Sequence, residues 1–179
     1  LRFNWKDSTR WKRKNFDLHT VIGFYICSLA LILAFTGSVM SYNWMKYVLY
    51  KSLGGDKEAA FIIPENIGTA NINDDVKPMD LLIPKLWAAS PNAESFELHY
   101  PKSEDESIYV EVSNSSGLYY DSDFRFFDQH TLEEIETPGI YGKYEDAKLA
   151  DKILRMNYDI HIGAIGGIAG KIIAFLVSL

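Results

Sequence analysis

From Leu18 to Met45 the chain runs 28 consecutive residues without an Asp, Glu, Lys or Arg. As a helix rising about 1.5 Å per residue the stretch reaches about 42 Å, more than the roughly 30 Å of bilayer hydrocarbon. No other feature constrains the fold as strongly, and the segment reads as a transmembrane helix. The overall composition hides it, because 23% of the 179 residues are charged. A second apolar run begins at Ile160 and continues to Leu179, interrupted only by Lys171. The chain starts with Leu1 rather than Met and stops inside that run, so the expectation is a fragment with further membrane helices outside it.

Charge sets an expected orientation. Residues 1–17 carry six bases (Arg2, Lys6, Arg10, Lys12, Arg13, Lys14) against two acids, Asp7 and Asp17, whereas residues 56–155 carry 21 acids against nine bases. The positive-inside rule places the amino terminus in the cytoplasm and the acidic middle outside. The apolar run is too long for a signal peptide and no small-residue cleavage pattern follows it, so an uncleaved anchor fits better. The lone Cys27 lies within the first span, which leaves the outer region to be held by its core rather than by disulfides.

The expected layout has four parts. A basic lead-in over 1–17, studded with Phe3, Trp5, Trp11 and Phe16, meets the lipid headgroups. A first membrane helix over 18–46 is closed by an aromatic belt of Tyr42, Trp44, Tyr47 and Tyr50. An extracytoplasmic α+β domain over 47–157 follows, and 158–179 opens a second, truncated membrane helix. Within the domain, Pro78 starts a short helix through Leu81, Leu82, Leu86 and Trp87, with Pro84 a complication and Pro91 beyond its end. Alternating runs at 96–100, 107–112 and 124–127 are separated by turn residues such as 113–117, and read as an antiparallel sheet. Residues 146–154 have helical periodicity and lead into the second apolar run, which implies a rigid connection.

Two histidines stand where the apolar stretches begin, His19 and His161. Stepping at helical spacing from His19 gives Gly23, Cys27, Ala30, Ala34, Gly37 and Ser41, a seam of small residues that admits a neighbouring helix or a flat macrocycle. If the second run is one helix, Gly163, Gly166, Gly167, Gly170 and Ala174 share a face, with His161, Ile165, Ile168, Ile172 and Leu179 opposite. Lys171 is then either close to the bilayer centre or an interfacial residue above a span that begins at Ile172. A boundary imidazole serves either as a metal ligand or as a helix–helix hydrogen bonder. The two histidines are separated by about one membrane thickness, roughly 30 Å, and cannot ligate the same metal.

Leu18-His19 with Gly23 and the later Thr36-Gly37, the run from Phe127 to Glu133, and Ile160-His161-Ile162-Gly163 with Gly166-Gly167 and Gly170-Lys171 together resemble the PepSY-associated transmembrane helix family. These are iron-regulated membrane proteins that include ferric-siderophore reductases. The run from Asp128 to Glu133 is similar to the family's Asp-Pro-x-Thr-Gly-Glu hairpin, with Gln129 and Leu132 in place of Pro and Gly. Thr20 and Val21 stand where the family often has Arg and Trp.

The resemblance implies haem b at two sites, with His19 and His161 as cofactor-binding and metal-ligating residues and a second axial ligand for each from additional transmembrane helices of this chain or another subunit. It also implies a haem-dependent transmembrane ferric reductase of the bacterial inner membrane, with a periplasmic or extracellular PepSY-like domain and a ferric-siderophore acceptor. The alternative is a non-enzymatic, membrane-anchored PepSY module that binds a peptide or protein partner, or an accessory subunit of an envelope complex. The formal charge of −12 over 56–155 works against an anionic ferric chelate as acceptor, and no nucleic-acid partner is expected. His99 and His130 lack a second ligand at a characteristic spacing, and no phosphate loop, nucleophile–base pair or nicotinamide fingerprint is present in the sequence.

Overall fold

The computed structural model describes residues 10–68 and 77–179. Phe3, Trp5 and the first bases of the expected lead-in lie outside them. Helix α1 spans Trp11–Ser41, 31 residues, and is long and apolar enough to cross a membrane. It begins seven residues before Leu18, because Lys12, Arg13 and Lys14 extend the helix rather than precede it. An Arg13–Asp17 pair at 3.0 Å spans its first turns. Most of its large apolar residues are exposed, among them Ile22, Phe24, Leu31 and Phe35. Its hydroxyls fold back onto carbonyls one turn earlier, Thr20 onto Phe16, Ser28 onto Phe24 and Ser38 onto Ala34, which satisfies them without water.

Tyr42 adopts an extended conformation and separates α1 from helix α2, Asn43–Ser52. Tyr42, Trp44 and Tyr47 are exposed as an aromatic belt requires, but Tyr50 is not part of one. It is fully buried and donates its hydroxyl to Asp151 at 2.6 Å. Burial, then the carboxylate it bonds, push its pKa up to about 12. The helical repeat explains the difference, since α2 turns Met45, Leu49 and Tyr50 inward against Val39, Ile140, Ala150 and Leu154.

The acidic middle folds as an antiparallel meander in the order β1-β2-β3-β4, with β1 at Ser95–His99, β2 at Ile108–Ser113, β3 at Asp123–Phe127 and β4 at Glu134–Ile135. The three expected runs are all strands. Helix α3, Pro78–Ala89, covers one face and stays continuous through Pro84. Met79, Leu82 and Leu86, one stripe at helical spacing, pack on Ile108, Val110, Val112, Phe127 and Leu132. That burial outweighs the hydrogen bond Pro84 cannot make. On the other face Tyr109, Phe124 and Phe126 form a second core with Ile63, Ile135 and Tyr141, as the period of two along a strand requires.

The turn between β3 and β4 is built on Asp128. The buried carboxylate accepts the backbone N–H groups of Ile67, Gly68, His130 and Thr131 at 2.6–3.0 Å. Burial works to raise its pKa, but these four donors outweigh it and hold the group down to about 2. Leu132, standing where the resembled hairpin has Gly, takes a left-handed φ of 56°. Such a conformation costs an L-residue roughly 1–2 kcal/mol. The side chain offsets this by entering the α3 core, and Lys85 Nζ caps its carbonyl at 2.7 Å.

Helix α4, Leu149–His161, meets the expected periodicity but does not run on into the second apolar stretch. Gly163 has a φ of 73° and Gly167 one of 60°, a short 3-10 turn occupies Ala164–Gly166, and helix α5, Gly167–Ser178, leaves at 74° to α4. The expectation of one glycine-faced helix from Ile160 is therefore corrected. Gly163 and Gly170 approach so closely that a Cβ on either would stand 2.2–2.3 Å from the other's carbonyl oxygen. From Gly170 onward the expected face survives, since Gly170, Ala174 and Val177 are the less exposed residues of α5, which contacts α1. Lys171 Nζ lies beside Gly117 of the β2–β3 turn, so Lys171 sits at the sheet domain.

A folded pKa of about 2 for Asp128, below its ordinary 3.8, contributes stability that is present above about pH 4 and lost as pH falls through about 2. Denaturant midpoints measured from neutral pH downward are expected to show Asp128→Asn less stable at neutral pH. The gap to the wild type should close as the pH approaches 2; a gap that is constant with pH contradicts the role given to this carboxylate.

Candidate functional site

The site is assembled on α4, whose buried surface carries an unusual number of polar side chains: Asp151, Arg155, Asn157 and Asp159. Burying such groups is costly unless they find partners, and each of the four side chains has at least one, with Arg155 Nε left unpaired among the described residues. Asp151 Oδ2 accepts the Lys148 N–H at the start of the helix, at 3.1 Å, while Oδ1 takes the Tyr50 hydroxyl. Arg155 donates to the carbonyls of Ser122 and Gly142. Its guanidinium lies 5.0 Å from the Phe124 ring, 5.5 Å from Tyr144 and 5.8 Å from Tyr141, a cation held by aromatic faces on the second side of the sheet. Asp159 accepts the N–H groups of Tyr119 and Tyr120 at 2.7–3.3 Å.

Those three residues, at i, i+4 and i+8, bind α4 to α2 and the sheet domain. A second pair at i and i+4, Asn157 and His161, binds it to α1. Asn157 Nδ2 donates to the Thr36 carbonyl at 3.0 Å, and His161 Nδ1 lies 2.9 Å from the Thr36 hydroxyl oxygen. Thr36 itself is buried. Gly37 makes room for the imidazole, since a Cβ there would stand 3.0 Å from His161 Cε1. The upper end of the small-residue seam thus receives His161, half-buried as the last residue of α4.

His19 occupies the other end of the seam, exposed, with open space at Gly23 one turn on. Because α1 is unbroken, the 17 steps from His19 to Thr36 place the two histidines roughly 26 Å apart along the helix axis. They belong to two separate locations. His99 stacks on Tyr109 at 4.5 Å with Nε2 3.4 Å from Glu97, and His130 uses its backbone N–H in the Asp128 turn. Among the described residues no three His, Cys, Asp or Glu side chains converge as a metal cluster. A cleft of about 330 Å³ between α1, α4 and the loops at 59–61 and 140–141 is lined by Val39, Met40, Phe61 and Leu154, and by neither of these histidines.

A family model described as the PepSY-associated TM region matches residues 1–179. The chain belongs to that family. No curated protein matches it. Family membership together with α1 makes the chain a membrane protein. The donor set fits haem in one respect: at each location the chain offers a single imidazole. At His161 only Nδ1 is engaged among the described residues, which leaves Nε2 for a ligand.

Thr36 and Asn157 were not singled out by sequence as partners of His161. The available signal was spacing: Asp151, Arg155 and Asp159 on one stripe of an otherwise amphipathic helix, with Asn157 and His161 on another. Replacing Tyr50 by Phe leaves Asp151 Oδ1 buried without its donor and is expected to cost about 1–3 kcal/mol. Equilibrium unfolding of the full-length protein in detergent measures this, and an unchanged midpoint contradicts the buried pair.

Proposed function

We propose that the chain holds two haem b groups in a transmembrane reductase of the bacterial inner membrane, moving electrons from a cytoplasmic donor to an extracytoplasmic acceptor such as a ferric chelate. In this reading the amino terminus is cytoplasmic, the sheet domain is periplasmic or extracellular, and α5 begins a second span. The observation that carries it is the placement of His19 on α1 and of His161 against Thr36 of the same continuous helix, roughly 26 Å further along its axis, close to the roughly 30 Å hydrocarbon thickness. Haem iron supplies one-electron chemistry, with a potential set by its axial ligands and their surroundings.

The parts that this chain contributes follow from its residues. His19 and His161 would each hold one haem through a ring nitrogen, and further helices would supply the other ligands. Gly23 and Cys27 would leave α1 free of side-chain bulk near His19, where a flat group approaches, while Gly37 makes room for the His161 ring itself. Helix α4 ties the His161 imidazole to the sheet domain, so that a haem held there would keep a constant relation to the domain. The acidic surface of the domain disfavours anionic chelates, which makes a neutral or cationic ferric complex the better acceptor.

Absorption spectra of the full-length protein purified from membranes, oxidised and then reduced with dithionite, test this. A Soret band that shifts on reduction is expected, with His19→Ala and His161→Ala each removing about half of the haem, as two single-haem sites require. Absence of a Soret band removes the reading.

A further inference from the structure

Thr36 has one hydroxyl proton and three neighbours. Its Oγ1 stands 2.9 Å from the Ile32 carbonyl, 3.1 Å from the Leu33 carbonyl and 2.9 Å from His161 Nδ1. The hydroxyl is directed at the carbonyls of the preceding turn of α1, and with its proton donated there a lone pair of Oγ1 is left facing the imidazole. A neutral imidazole facing an acceptor must present N–H. From this network we infer that Thr36 is a positioning residue that fixes His161 as its Nδ1–H tautomer, making Nε2 the one nitrogen with a lone pair to offer a metal. The inference rests on the haem reading for its purpose, but not for its geometry.

Two further contacts keep the arrangement in place. Asn157, one turn before His161 on α4, donates to the carbonyl of the same Thr36, so both ends of one α1 residue are gripped by one face of α4. Gly37 lies under the ring, where any side chain would push Cε1 away. Register, clearance and tautomer are therefore set by consecutive residues of α1, Thr36 and Gly37. The effect is that of an outer partner orienting a ligand imidazole, with a threonine hydroxyl in the place often taken by a carboxylate or backbone carbonyl.

The test uses full-length protein, labelled with ¹⁵N-histidine, expressed under haem limitation and held in lipid nanodiscs. The imidazole signals that vanish in His161→Ala are expected to show a protonated Nδ1 and a bare Nε2. Thr36→Val should move them to the Nε2–H tautomer or to a mixture, and Thr36→Ser, which restores the hydroxyl, should return them. A wild-type His161 protonated on Nε2, or an unchanged pattern in Thr36→Val, overturns the inference. In haem-loaded protein, Thr36→Val is expected to weaken haem retention about 10-fold to 100-fold and Thr36→Ser to leave it near wild type. Full haem retention by His161→Ala would overturn the ligand reading alone, because the haem-free spectra decide the tautomer by themselves.

Discussion

Thr36 of α1 is held at its carbonyl by Asn157 and at its hydroxyl by His161, and the joint between membrane helix and sheet domain turns on that grip. A helix lying in lipid has little hydrophobic reason to prefer one neighbour over another, so polar contacts and close backbone approach decide its packing. Helix α4 supplies both. Its other polar stripe is spent on the domain, where Arg155 sits among aromatic rings and Asp159 takes two backbone donors. The same 13 residues therefore read α1 on one side and the sheet on the other.

Much of the fold could be read from the residues because each element has a strong local signal. The charge-free stretch marks α1, alternation marks β1 to β3, and Pro78 with its apolar stripe marks α3. Where the reading went astray, a non-local contact outweighed a local pattern. Tyr50 has the composition of a belt residue, yet Asp151, 101 positions away, draws it inside. The glycines after His161 look like a helix-packing face, yet left-handed φ angles at Gly163 and Gly167 break the helix and let Gly163 meet Gly170. Glycine permits both outcomes, and tertiary contact chooses. Leu132 is the converse case, an unsuitable residue for a left-handed position that is kept there by the core its side chain enters.

Of the site, the histidines were visible and their partners were not. Nothing in Thr36 or Asn157 taken alone separates a positioning residue from an ordinary polar residue near a membrane boundary. Their roles appear only when α1 and α4 are side by side. The roughly 26 Å between the two histidines follows from helix rise once α1 is continuous and His161 is set against Thr36. That separation is why the proposed function has two cofactors rather than one.

The claim on which the rest depends is that α4 joins the sheet domain rigidly to α1. Spin labels at Met40, exposed near the carboxyl-terminal end of α1, and at Lys102, exposed beyond β1, measure it directly in full-length protein with Cys27 replaced by Ser. A single narrow distance distribution is predicted, broadening when Asn157→Ala and Thr36→Val are combined. A broad or multimodal distribution in the protein without those two substitutions contradicts the account.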